Sequence, residues 1–264
     1  MTIAAEPTIT PLLLRAWSAN SNAPNVCEGV TDIFNRLLSF NTSTCTSVQV
    51  QVLPVLQQIF VSAEANAVLS GTIGVALELL KSVLLNIEKH TRALHQTNST
   101  VNGSSAAPQL LHPLLFSTIL PHVLNFVLHT DDHDAIHTGT TTLTAYLRID
   151  ANQVANISMP VVLPGSPAGT APTPMTGLQV LCALINQLLN PALSDQVAHN
   201  VGSLIIQVVF SLGGVLGEAN VKELIKGGRS QHTISTHPFH SVILMMIPNF
   251  NHLSIELRSN RLEL

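Results

Sequence analysis

The chain has 264 residues, of which 46% are hydrophobic, 4% aromatic and 10% charged, and it carries a formal net charge of −4. That length can bury one large core or two ordinary ones, and charge this sparse, against roughly 25% in a typical globular chain, points to a well-covered surface or to a piece of something larger. A mildly acidic balance without clustered Lys and Arg argues against nucleic acid as the main ligand, and few aromatics among many Leu, Val, Ile and Ala favour stacked helices over a β-sandwich.

Taken in order, the chain opens with a helical pair over 8–19 and 23–40. Asn22 is placed to cap the second helix, and Pro24 falls in its first turn, where a missing amide is harmless. Ile33, Leu37 and Leu38 fall on one face, and Trp17, the single tryptophan, is expected between helices. Asn41-Thr42-Ser43-Thr44 is a polar break. Helices follow over about 47–61 and 66–87, the second carrying Leu77, Leu79, Leu80, Val83 and Leu84. Residues 96–107 (QTNSTVNGSSAA) are a low-complexity loop. Helix resumes from about Pro108 to His129, with Pro113 and Pro121 expected to bend or interrupt it. The patterns Leu53-Pro54-Val55-Leu56 and Leu120-Pro121-His122-Val123-Leu124 are a faint internal echo.

The stretch from Leu120 to Ser158 shows the repeating unit in its simplest form. Leu120, Val123, Leu124, Val127 and Leu128 recur at three- and four-residue intervals and line one helical face. Thr130 or Asp131 is placed to cap a following helix that runs to about Ile149, and the carboxylates suit its positive dipole end. Helix, tight polar corner and antiparallel helix make the unit of an α-solenoid. Five prolines between Pro160 and Pro174 rule out continuous helix, so 158–175 reads as an exposed loop or linker between repeats. Helix returns over about 177–189 and again from Ser194 to Leu216, and Glu218 begins another.

Units beginning near 8, 47, 108 and 175 approach the ~40–47-residue spacing of HEAT or armadillo repeats once the two long loops are allowed for. The expected architecture is all-α, an α-α superhelix segment over 1–226. From Gly227 to Leu264 no amphipathic helix completes the pattern. This tail is expected to be poorly ordered and foreign to the repeat, arising from alternative splicing or a misjoined gene prediction.

Three widely spaced cysteines, Cys27, Cys45 and Cys182, make neither a disulfide framework nor a zinc pattern and read as buried thiols. Mean hydropathy is +0.37, but the most apolar run, Val201 to Leu216, is interrupted by polar residues and glycines and is shorter than the ~20 residues a span needs. The N-terminus lacks a basic region followed by an apolar core, so no signal peptide is expected. The sequons at Asn41, Asn98, Asn102 and Asn156 then read as chance products of Ser/Thr-rich sequence in an intracellular chain.

The densest cluster of potential ligands is His129, Asp131, Asp132, His133, Asp134 and His137. His133 and His137 lie one helical turn apart, a spacing able to bring two imidazoles to one metal. A zinc site needs a further ligand held by supporting hydrogen bonds, and acidic residues at a helix start are favoured by its dipole in any case, so the cluster reads as structural. His232, His237 and His240 are scattered through the tail, and Gly213-Gly214 reads as a packing feature. Neither a GxSxG elbow nor a GxxxxGK[ST] loop occurs. No catalytic, cofactor-binding or metal-binding residue is assigned, and no enzymatic activity is expected.

The run Leu128-His129-Thr130-Asp131-Asp132, followed by Ala145-Tyr146 and Gln153-Val154-Ala155, resembles the importin-β (karyopherin) family. Gln187-Leu188-Leu189-Asn190-Pro191 and Leu216-Gly217-Glu218-Ala219-Asn220 continue the match, which covers roughly residues 8 to 226. The order and spacing of these motifs carry it, since each alone is a generic solenoid pattern. The resemblance implies a nuclear import receptor segment from the middle to C-terminal repeats. It also implies basic protein cargo such as histones and ribosomal proteins, Ran-GTP as the partner that releases cargo, and residence in cytoplasm and nucleus. Family members are several times longer, and their Ran-gripping N-terminal repeats lie before the part matched here. The other reading is a HEAT or armadillo interaction scaffold with no part in transport.

Overall fold

The computed structural model describes residues 8–21, 23–65, 70–98, 110–167 and 169–188, together with 203, 204, 207, 208 and 211. In chain order the elements are α1 (Ile9–Ala19), α2 (Pro24–Phe40), α3 (Thr42–Ala65), α4 (Ser70–Asn98), a π-helical turn (Leu115–Ile119) running straight into α5 (Leu120–His129), α6 (His133–Asn156), the strands β1 (Ser158–Val161) and β2 (Thr173–Thr176), and α7 (Gly177–Leu188).

These helices form two layers. Odd-numbered helices stack on one another, α1 on α3, α3 on α5 and α5 on α7, while α2 packs on α4 and α4 on α6. Each odd helix also packs on the even helix that follows it: α1 on α2, α3 on α4, α5 on α6. This is the layout of an all-α helical-repeat segment. The even helices, mostly the longer ones, pack on one another more extensively than the odd ones.

Cross-repeat hydrogen bonds fix the register of the even layer. Asn86 Nδ2 donates to Asn35 Oδ1 at 2.7 Å and His90 Nε2 lies 2.7 Å from the Leu38 carbonyl, tying α4 to α2. Thr138 Oγ1 donates to Glu78 Oε1 at 3.0 Å, tying α6 to α4. Arg148 Nε donates to Gln207 Oε1 at 3.2 Å, and Leu204 and Val208 beside it are buried. The partners are 51, 52, 60 and 59 residues apart. These offsets include the connecting segments that the expected ~40–47-residue spacing set aside.

Local chemistry accounts for the helix ends. Cys27, Val30, Phe34 and Leu38 form the buried face of α2, whereas Ile33, expected on that face, is 45% exposed. Pro24 occupies the first turn, and the cap position is Ala23, which makes no side-chain bond; Asn22 lies outside the described residues. The Asn41 side chain accepts from the Thr44 amide at 2.7 Å. That cap starts α3 at Thr42, five residues before the expected Ser47, and shrinks the polar break to one extended residue. Helix α4 runs on to Asn98, past the expected end at 87.

The LP echo marks equivalent sites in successive odd helices. Leu53 and Leu56 of α3, like Leu120, Val123 and Leu124 of α5, are fully buried. Pro54 is exposed in mid-helix, one turn beyond the 52%-exposed Val50. Carbonyls left unpaired by a proline there face water, which lowers the cost of interrupting the helix. At Pro121 the helix enters through the π turn instead. The Leu115 carbonyl takes both the Leu120 amide and, at 3.1 Å, the hydroxyl of fully buried Tyr146. Phe116 meets the Tyr146 ring edge-on, with centroids 5.4 Å apart.

α6 carries buried Thr138, Thr140, Thr142 and Thr144. The last three return their hydroxyls to carbonyls one turn back, at 2.7 to 2.8 Å, which satisfies them inside the helix. At Asp150 the backbone leaves helical geometry (φ −155°, ψ 89°), and its Oδ1 caps a new turn by accepting from the Gln153 amide at 2.9 Å.

The stretch expected as an irregular loop over 158–175 instead holds an antiparallel strand pair, with Pro160 opposite Pro174. Two facing prolines fit a pair that exchanges no amide hydrogen bonds, and such pairs alternate with bonded ones in an antiparallel ladder. The ladder continues with the Gly177 amide donating to the Ile157 carbonyl at 2.8 Å. Met159 and Val161 point into the core. Among the described residues no helix is long and apolar enough to cross a membrane. Most of the 201–216 run, the helix beginning at Glu218, and the 227–264 tail lie outside the described residues.

Candidate interaction surface

The acidic corner between α5 and α6 is built by the second aspartate. Asp132 Oδ1 accepts from the amides of Asp134 (3.0 Å) and Ala135 (3.4 Å), and Thr130 Oγ1 accepts from the Asp132 amide at 3.2 Å. The cap is therefore Asp132, not Thr130 or Asp131. The extended Thr130 that closes α5 (ψ 140°) pushes the next helix start to His133. His129, at the end of α5, sits 2.7 Å from the Asn125 carbonyl through Nδ1 and 2.7 Å from the Val162 carbonyl through Nε2. Both ring nitrogens lie within hydrogen-bond distance of backbone carbonyls, so His129 pins the strand connection. Among the described residues no three His, Cys, Asp or Glu side chains come together as a metal-holding group. His232, His237, His240 and Gly213-Gly214 lie outside the described residues.

The three cysteines are free thiols. Cys27 and Cys45 are fully buried in the core, whereas Cys182 on α7 is half-buried. Loss of solvation raises all three thiol pKa values above 9.0, that of Cys182 to about 11, with the Gln49 side chain partly opposing the rise at Cys45. Thiols held neutral in this way are weak nucleophiles.

Between α4 and α6, on the even layer, lies an open groove of about 390 Å³ lined by Leu85, Glu88, Lys89, Arg92, Ala93 and Gln96 of α4 and by Arg148 of α6. Arg92 is paired with Glu88, whose side chain is almost wholly buried. Just past Arg148, α6 leaves helical geometry at Asp150, while α4 runs on to Asn98. Sequence reasoning did not find it. Lys89 and Arg92 look like ordinary solvated charges, and only the 60-residue offset between Glu78 and Thr138 brings Arg148 level with them.

No family profile matches the chain. Over 227 residues, 84% of its length, the chain is 26% identical to a Drosophila melanogaster protein named Importin-9. It spans only 18% of that protein's length. The similarity and the two-layer stack together mark an importin-like helical-repeat segment, corresponding to under a fifth of the longer relative.

Proposed function

We propose that this chain is a segment of a nuclear transport receptor, one that binds basic protein cargo and takes part in Ran-dependent import between cytoplasm and nucleus, acting by binding rather than catalysis. The observation that carries this reading is the extended similarity to Importin-9, which runs across the whole stack rather than a single helix pair. Stacked pairs held in register by cross-repeat bonds present a continuous surface, which is what wrapping a protein cargo requires. The test is a pull-down of a core-histone dimer by the full 264-residue chain, with and without Ran-GTP. Capture that weakens on adding Ran-GTP supports the reading. Capture indifferent to Ran-GTP, or none, moves the chain to a repeat scaffold outside transport.

A further inference from the structure

We propose that the groove between α4 and α6 is a docking site for an acidic segment of a partner protein, opposite in charge to the cargo expected above. Three cations, Lys89, Arg92 and Arg148, surround it, and one carboxylate, Glu88, lies within it. That carboxylate is already taken by Arg92. Asp150, two residues beyond Arg148, is not among the residues lining the groove, and its Oδ1 accepts from the Gln153 amide. Lys89 is exposed and makes no ion pair among the described residues. Among the described residues Arg148 holds only the neutral amide of Gln207, so neither Lys89 nor Arg148 has a carboxylate partner there.

This concentration of positive charge stands out in a chain of net charge −4. The acidic corner does not cancel it. Sixteen residues separate Asp132 from Arg148 along α6, roughly 24 Å at the helical rise, well beyond the ~8 Å screening length at physiological salt. The guanidinium of Arg148 is suited to gripping a carboxylate through two parallel bonds, and Lys89 supplies a mobile point charge beside it. Leu85, 43% exposed, and Ala93 give an apolar strip along the same wall. The matching ligand is a short extended peptide with an aliphatic side chain flanked by Glu and Asp. A volume of about 390 Å³ holds a few such side chains and not a folded surface.

The test is fluorescence anisotropy with the full chain and a labelled peptide of sequence Glu-Asp-Glu-Leu-Asp-Glu-Asp, against a neutral counterpart of Gln and Asn around the same Leu. The acidic peptide is expected to bind at least about tenfold more tightly at low salt, and to weaken steeply as salt is raised. Lys89→Glu is expected to weaken it by about tenfold or more while the circular dichroism spectrum and melting temperature hold, because the exposed Lys89 side chain makes no hydrogen bond or ion pair among the described residues. Arg148→Gln gives a second reading of the same loss. Equal binding of the two peptides, or unchanged binding by Lys89→Glu, overturns the proposal. So does a single-stranded oligonucleotide that outcompetes the acidic peptide, which would assign the groove to phosphates.

Discussion

Replacing Gly177 by alanine is the sharpest test of how α7 is mounted on the stack. A Cβ at this position would lie 1.9 Å from the Val154 carbonyl oxygen, 2.8 Å from Ile157 Cγ1 and 3.1 Å from the Val154 carbonyl carbon. Non-bonded heavy atoms settle at roughly 3.5–4.0 Å, so α7 and the end of α6 must separate by well over 1 Å. A backbone oxygen cannot rotate away as a flexible side chain does. The separation also stretches the 2.8 Å bond from the Gly177 amide to the Ile157 carbonyl, which closes the strand ladder. Overpacking costs about 1–3 kcal/mol and a lost hydrogen bond about 0.5–1.5 kcal/mol. The sum is about 1.5–4.5 kcal/mol, a fall of roughly 3–18 °C in melting temperature for a chain of this size. The assay is thermal melting by circular dichroism alongside Gly29→Ala. Gly29 sits inside α2 with nothing within 4 Å of an added Cβ, so alanine there stabilises by up to about 1 kcal/mol. A Gly177→Ala protein that melts at or above the parent would refute the reasoning.

Gly139→Ala places a Cβ 2.3 Å from Val127 Cγ2 where α5 and α6 cross; it should destabilise by about 1–3 kcal/mol in denaturant titration, with Val127→Ala in the double variant recovering part of the loss, and strictly additive effects would count against the close crossing. Asp132→Ala removes the acceptor of two α6 amides and should cost about 0.5–2 kcal/mol, whereas Asp131→Ala, measured the same way, should cost less. Burial raises the pKa of Cys27, Cys45, Cys182 and Tyr146. Their protons are held longer in the fold than in the unfolded chain, so their contribution is intact below pH 9.0, the ordinary thiol value, and is lost as pH climbs, with Cys182 losing its share by about pH 11. Urea melts at pH 8 and pH 10.5 should show the fall, and a Cys182→Ala variant should show a shallower one.

Much of the stack was legible because its apolar residues repeat at helical spacing. Leu120 to Leu128 line the buried face of α5 as their periodicity demands, and Pro24 sits in the first turn of α2 where its missing amide does no harm. What the sequence concealed depends on partners far along the chain. Asn35, Asn86, Glu78 and Thr138 look like solvated polar residues until the stack sets them against each other across 51 and 60 residues. Prolines hid the strands over 158–176, because proline argues against a strand unless it sits at an unbonded pair, and pairing is invisible before folding. The cap moved from Thr130 or Asp131 to Asp132 for a similar reason. Three adjacent oxygen-bearing side chains compete for the same amides, and the direction in which α5 exits decides between them. The groove depended on the stack register, which alone sets Arg148 beside Lys89 and Arg92.

The position of α4 has a consequence for which length changes the chain can accept. This helix is read from both sides, with Glu78 indexed to α6 and Asn86 and His90 indexed to α2. One residue added between Glu78 and Asn86 would turn everything after it by about 100° and carry Asn86, His90 and the Lys89 face to new azimuths. Residues added between Val161 and Thr173, beyond the strand ladder, would turn nothing. Length variation among close relatives should therefore collect outside the span from 78 to 90 and pool at the strand connection, as a ruler tolerates extra wood at its ends but not between its marks.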